Sequence, residues 1–98
     1  MHVISRKRLV EFGRRHPQAN QPLDIWFRLM KRSELATPAD TKALFGSADF
    51  LGKNVTVFNI VGSKYRISAS IRYDMQCVFV RHVMTHADYA KRSDDGTL

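Results

Sequence analysis

One stretch of strict alternation between apolar and polar residues constrains the fold of this chain most. Within residues 64–74, KYRISASIRYD, every second side chain from Tyr65 to Tyr73 is aromatic or aliphatic, and the intervening ones are Lys, Arg, Ser or Asp. Because successive side chains of a β-strand point to opposite faces, the pattern predicts a half-buried strand. One face of its sheet should pack on a core, and the other should display arginines and serines.

Two turns flank this strand and join it to a further strand on either side. Gly62-Ser63 connects it to a strand over residues 55–61, which follows a loop over residues 47–53. Asp74-Met75 connects it to a near-continuous apolar strand over residues 76–84. Such an apolar run is typical of a strand that is covered on both faces.

The two turns also predict the register of the sheet. Asn59 should face Arg66 across the first turn, whereas Ser68 should face Arg81 and Arg66 should face Val83 across the second. Directly opposed residues share a face, and an odd-length second turn would bury an unpaired Arg81 at a cost of several kcal/mol. The predicted polar face carries Asn59, Arg66, Ser68, Ser70, Arg72 and Arg81. The predicted core face carries Phe58, Ile60, Tyr65, Ile67, Ala69, Ile71, Val78 and Val80.

The first part of the chain carries helix signals. After a short strand in residues 1–4, Ser5 is placed to cap a helix that continues to about His16. Residues 17–22 should form a turn, with Pro22 as the first residue of a second helix. The apolar stripe of that helix has i, i+3, i+4, i+7 spacing and consists of Leu23, Trp26, Phe27 and Met30.

Two further helices are predicted from capping patterns. In both, a threonine is followed three residues later by an aspartate, which resembles a capping box. The first helix should start at Thr37 and continue to Phe45, and the second should start at Thr85 and continue to about Lys91. We expect residues 93–98 to fray.

The composition predicts the class of partner and the cellular setting. Sixteen Lys and Arg residues against nine Asp and Glu give a formal net charge of +7, which indicates an anionic partner. The length of 98 residues predicts a single domain, residues 1–98. No apolar run reaches the roughly 20 residues of a membrane span, and the single Cys77 has no disulfide partner. We therefore expect a cytoplasmic protein without a membrane partner.

Several ionisable side chains should converge near one end of the polar face. Arg66 and Arg81 should lie close together beside Asn59, and His86 and Tyr89 open the helix that follows. Arginines that hold a phosphate, with a histidine or tyrosine that moves protons, suit phosphodiester cleavage without a metal. The same pattern also fits a structural arginine pair, a helix-start histidine and a packed tyrosine, so spacing alone leaves both interpretations open.

The sequence predicts neither a metal site nor a cofactor site. His82 and His86 have four-residue spacing, but one lies on a predicted strand and the other on a predicted helix, with no third ligand. The chain contains neither a P-loop nor a GxGxxG motif, and Cys77 has no partner that would mark it as a nucleophile.

Two motifs resemble those of the HigB family of bacterial toxins, in the RelE/ParE-like superfamily of toxin–antitoxin systems. FN-x-x-G-x-x-x-R begins at Phe58 and ends at Arg66, and R-x-V-x-TH-x-x-Y begins at Arg81 and ends at Tyr89. The resemblance extends over nearly the whole chain. It implies an α+β, RelE-like fold, in which helices pack on one face of a twisted, mainly antiparallel sheet.

The resemblance also implies a function and a set of partners. The protein would be the toxin of a type II toxin–antitoxin system and a ribosome-dependent endoribonuclease. It would cleave mRNA in the ribosomal A site, beside ribosomal RNA, by metal-independent attack of a 2′-hydroxyl. A helix-turn-helix antitoxin would neutralise it, and operator DNA would be bound only through the antitoxin complex.

The resemblance assigns roles to individual residues but leaves the general base open. Arg66 and Arg81 would bind the phosphate and stabilise the transition state, and His86 and Tyr89 would transfer protons or stack on a base. The residues implied to bind RNA are Lys53, Asn59, Lys64 and Ser68. Two alternatives remain: a non-catalytic toxin of the same fold that inhibits DNA gyrase, and a basic nucleic-acid-binding module without chemistry.

Overall fold

A computed structural model describes residues 1–98 and shows an α+β fold with four helices and a five-stranded mixed sheet. The helices are α1 (Arg6–Arg15), α2 (Asn20–Arg32), α3 (Pro38–Leu44) and α4 (His86–Asp95). The strands are β1 (His2–Ile4), β2 (Asp49–Phe50), β3 (Thr56–Ile60), β4 (Tyr65–Arg72) and β5 (Cys77–Thr85). Single 3₁₀ turns occur at Pro17–Ala19 and Tyr73–Met75.

The sheet has the order β1-β5-β4-β3-β2, which places the alternating strand β4 at its centre. The pairing of β1 with β5 is parallel, and the other three pairings are antiparallel. The sheet is therefore mainly antiparallel, as predicted.

The core lies between the sheet and helices α1 to α3. Every side chain predicted for the core face, from Phe58 to Val80, is buried and belongs to one apolar cluster. The ring of Phe58 contacts those of Trp26 and Phe45 edge-on, with ring centres 5.3 and 5.1 Å apart. Such T-shaped pairs stabilise a core beyond their buried area.

Helix α4 lies over the other face of the sheet. It contacts both β4 and β5, and its Tyr89 stacks on Arg66 of β4. Three side chains on this face are buried: Ser68, which was predicted for the polar face, and its neighbours Val57 and Met84. The helices thus pack on one face except for α4, which covers part of the face that was predicted to be open.

The register matches the prediction between β3 and β4 and, from Ala69 to Arg72, between β4 and β5, but it differs over the rest of the second pairing. Asn59 faces Arg66 across the first turn, as predicted. Beyond Ala69, however, β5 contains one extra residue, so that Ser68 faces His82 and Arg66 faces Met84. The predicted pairings of Ser68 with Arg81 and of Arg66 with Val83 are wrong, because a β-bulge at Arg81 shifts the register by one residue.

Several predicted element ends also differ from the structure. Helix α2 begins at Asn20 rather than at Pro22, which is possible because N–H groups of a first helical turn need no helical partner. The predicted loop over residues 47–53 contains the short strand β2, paired with β3. Helix α4 continues beyond Lys91, so residues 93–95, which we expected in a frayed tail, belong to it.

Two of the three predicted N-cap residues cap their helices in the structure. The Thr85 Oγ1 accepts a hydrogen bond from the backbone N–H of Asp88 at 3.2 Å, and the Thr37 Oγ1 accepts one from the backbone N–H of Asp40 at 3.2 Å. Ser5 precedes α1 in a left-handed conformation, with φ of 70°, and its side chain makes no capping hydrogen bond. Thr37 and Thr85 therefore stabilise their helices through the side chain, whereas Ser5 does not.

Replacing Thr85 with alanine should lower the free energy of unfolding by about 1 kcal/mol, because the capping hydrogen bond is lost. The matched variant Ser5→Ala should leave it nearly unchanged, since no capping bond is removed. Urea unfolding followed by circular dichroism measures both values. Equal losses in the two variants would contradict this assignment of the caps.

None of the helices combines the length and the apolar character that crossing a membrane requires.

Candidate functional site

Arg66, Asn59 and Tyr89 lie together where β3, β4 and α4 meet. Arg66 and Asn59 are directly opposed across β3 and β4. The Cζ of Arg66 lies 4.3 Å from the centre of the Tyr89 ring, a favourable cation–π arrangement. The backbone N–H of His86 donates to the carbonyl of Lys64 at 3.1 Å, which fixes the start of α4 against the hairpin between β3 and β4. Three of the predicted site residues are therefore brought together.

The guanidinium of Arg66 is only partly satisfied by the protein. Its Nε is buried and has no hydrogen-bond partner, although the residue as a whole is half-buried. A buried donor without a partner costs about 1–3 kcal/mol, and more for a charged group. Such an orphan in a folded protein calls for an explanation, and a catalytic role is one that native structures provide. The exposed part of the Arg66 side chain, rather than the enclosed Nε, would bind a phosphate.

Ser68 lies two positions further along the same face of β4, but it is fully buried. Its hydroxyl makes no hydrogen bond within the protein. It faces Val57 on one side and His82 on the other. The predicted contact of Ser68 with RNA is therefore not possible in this conformation, because the residue has no exposed surface.

Arg81 is separated from Arg66. Its Nε donates to the carbonyl of Leu98 at 3.2 Å, and its Nη1 donates to the Ser70 hydroxyl at 3.3 Å. Ser70 is four positions along β4 from Arg66, a distance of about 13 Å. The guanidinium of Arg81 is therefore directed toward Ser70, and the role of Arg81 at the scissile phosphate stays a prediction.

The remaining predicted site residues are more dispersed. His86 is exposed as the first residue of α4. Lys64 donates from Nζ to the Gln18 side chain at 2.7 Å, so it points toward the helical side of the sheet. Lys53 is exposed in the turn between β2 and β3, at the opposite end of β3 from Asn59. The roles of Lys53 and Lys64 in positioning RNA therefore stay predictions.

The side chains that commonly bind metals are also dispersed. No three His, Cys, Asp or Glu side chains are close enough to hold a metal ion together. Cys77 is a half-buried free thiol whose Sγ contacts the carbonyl of Met75 at 3.3 Å. Arg72 donates two hydrogen bonds to Asp74, and these bonds are the main reason why the pKa of the Asp74 carboxyl is lowered.

Sequence reasoning missed a groove between α1 and α4, which contains His82. Burial lowers the pKa of His82, and the charges of Arg92, Arg8 and Arg81 lower it further. The imidazole is therefore neutral near pH 7. The sequence pattern assigned no role to His82, because its neighbours in space come from α1 and from the end of α4. The β-bulge, which orients it toward the groove, has no signal in the sequence.

Comparison with known proteins finds a family model and several relatives that all carry the name HigB. The family model for HigB_toxin, described as the RelE-like toxic component of a toxin-antitoxin system, matches residues 19–92. The mRNA interferase toxin HigB of Escherichia coli strain K12 is 32% identical over 92 residues, which cover 91% of this chain and 88% of the relative. The mRNA interferase HigB of Shigella flexneri has the same identity and coverage. The mRNA interferase HigB of Escherichia coli O6:H1 is 30% identical over 93 residues, which cover 93% and 90%.

Proposed function

The chain belongs to the HigB family of RelE-like toxins, and from this premise we propose that it is an endoribonuclease that cleaves mRNA. The observation that carries the proposal is the arrangement of Arg66, which has a buried Nε without a partner, beneath Tyr89 and opposite Asn59. The relatives named above as mRNA interferases support the choice of RNA as substrate. The formal net charge of +7 favours a large polyanionic partner.

The reaction would be an attack of a 2′-hydroxyl on the neighbouring phosphorus. The bond from phosphorus to the 5′-oxygen breaks, which leaves a 2′,3′-cyclic phosphate on one fragment and a 5′-hydroxyl on the other. Arg66 would hold the phosphate and neutralise the charge that grows on its oxygens. His86 and Tyr89 would take the proton from the 2′-hydroxyl and supply one to the leaving oxygen. No step requires a metal or a cofactor.

The setting of the reaction is the translating ribosome. The whole chain, residues 1–98, would act as one toxin domain in the ribosomal A site, where Asn59 helps to position the RNA. Arg81 is directed toward Ser70, Lys64 toward Gln18, and Lys53 lies beyond the opposite end of β3 from Asn59, so these cations would contact mRNA or ribosomal RNA outside the scissile phosphate. Exposed cations of α1, such as Arg14, add to the attraction for ribosomal RNA.

As the toxic component of a toxin–antitoxin system, the protein would have an antitoxin as its partner. We infer that this is a small helix-turn-helix protein, which neutralises the toxin and carries the binding of operator DNA. The toxin would reach the operator only through this complex, in the cytoplasm of its host.

Brief induced expression in a bacterium, with primer extension of a reporter mRNA, tests the proposed function. We expect growth arrest with cleavage of the translated reporter, and both should be prevented by co-expression of the antitoxin from the adjacent gene. A reporter without a start codon is the control for ribosome dependence and should remain intact. Growth arrest with intact mRNA and accumulated DNA breaks would instead indicate a toxin that inhibits gyrase.

A further inference from the structure

A groove of about 520 Å³ separates α1 from α4, away from Arg66 and Asn59. Its floor is formed by residues 82–84 of β5. Strand β1 pairs only with Cys77–Phe79, so the outer edge of β5 has no partner strand beside the groove. Helices α1 and α4 form the two walls, and the groove is accessible from solvent.

Four cations line this groove without an ion-pair partner. They are Arg8 and Arg15 of α1 and Lys91 and Arg92 of α4. The protein's ion pairs involve other cations, namely Lys7, Arg28 and Arg72. The groove also contains the carboxylates Glu11, Asp88 and Asp95. Glu11 is already within 3.7 Å of Lys7, which leaves two unpaired carboxylates, Asp88 and Asp95, against the four cations, so the groove is positively charged.

A main-chain oxygen lies at the binding position of one groove cation. The carbonyl of Thr97 accepts from Nη1 of Arg92 at 3.5 Å. A phosphate oxygen adds a negative charge that a carbonyl oxygen lacks, and a phosphate can accept two parallel hydrogen bonds from one guanidinium, so a phosphate could replace this carbonyl.

We propose that the groove between α1 and α4 is a second RNA-binding site, in which Arg8 and Arg92 hold a phosphate group. Neither Arg66 nor Asn59 lines the groove, so this phosphate would lie outside the scissile bond. The inference rests on the proposed function only in that it takes RNA as the substrate. The groove would fix the path of the strand, and Arg66 would act at the phosphate that is cleaved.

The test measures binding of a fluorescent single-stranded 2′-O-methyl RNA, which cannot be cleaved, by anisotropy at several salt concentrations. The variant Arg8→Ala/Arg92→Ala should bind about tenfold more weakly at low salt. The slope of log K against log salt should become less steep by about 0.7 for each phosphate that the protein no longer neutralises. The variant Arg8→Lys/Arg92→Lys should retain most of the slope, because it keeps both charges.

The matched control is Arg28→Ala/Arg32→Ala, which removes the same charge from two exposed arginines of α2, outside the groove. Its salt slope should equal that of the wild type, and circular dichroism should show that all variants are folded. Equal losses in the two double-alanine variants, or unchanged RNA binding with loss of antitoxin binding, would overturn the inference. Because the assay does not involve cleavage, RNA binding in the groove by a toxin that leaves mRNA intact would refute only the proposed function.

Discussion

Replacing Arg66 with alanine should abolish mRNA cleavage and growth arrest while the protein remains folded. Removing one preorganised group that stabilises a developing oxyanion typically lowers kcat by about 10²–10³-fold. The fold should tolerate the change, because the buried Nε of Arg66 has no partner within the protein to lose. Growth after induction and primer extension of a reporter transcript measure the two effects in cells.

The control variant is Arg28→Ala, which removes a cation paired with Asp24 on the exposed side of α2. It should remain toxic, and full toxicity of Arg66→Ala would show that the site is elsewhere.

The same assay distinguishes two possible roles of Tyr89. If it stacks on Arg66 and on a base, Tyr89→Phe should retain activity that Tyr89→Ala loses, whereas a proton-transfer role predicts that both are inactive.

Replacing Phe58 with alanine should lower the free energy of unfolding by about 3–5 kcal/mol. The side chain is 1% exposed, and its ring contacts Trp26 and Phe45, so truncation leaves a cavity that rigid neighbours cannot fill. In a domain of this size the loss corresponds to a fall in Tm of more than about 12 °C. Thermal and urea unfolding measure the change.

The matched control is Phe50→Ala, in the short edge strand β2, where the side chain is 40% exposed. It should change the free energy of unfolding by about 0.5 kcal/mol or less, as is usual for surface substitutions. Similar losses at the two phenylalanines would mean that the aromatic cluster around Phe58 is not the centre of the core.

The features that the sequence predicted correctly depend on neighbours along the chain. The alternation in β4 determines which side chains enter the core, and a two-residue turn at Gly62-Ser63 determines that Asn59 faces Arg66. The Thr85 cap likewise depends on a residue three positions away. Each of these contacts forms between segments close in sequence, which is why local patterns are sufficient to predict them.

The features that the sequence did not predict depend on packing between distant segments. The β-bulge at Arg81 lies within an apolar strand without glycine, and it shifts the register between β4 and β5 by one residue. The burial of Ser68 depends on what packs on its face of the sheet, which the alternation in β4 does not indicate. The groove that contains His82 requires α1 and α4 to lie on either side of β5, so no spacing in the sequence indicates it.

The central claim is that Arg66, beneath Tyr89, is the centre at which mRNA is cleaved. Its most direct test is a purified translation reaction in which the 5′ ends of ribosome-bound mRNA are mapped after addition of wild-type toxin, Arg66→Ala or Arg28→Ala. We predict that the wild type and Arg28→Ala leave new fragments with 5′-hydroxyl ends, and that Arg66→Ala leaves the mRNA intact. Cleavage by folded Arg66→Ala at the wild-type rate, or intact mRNA with every protein, would contradict the claim.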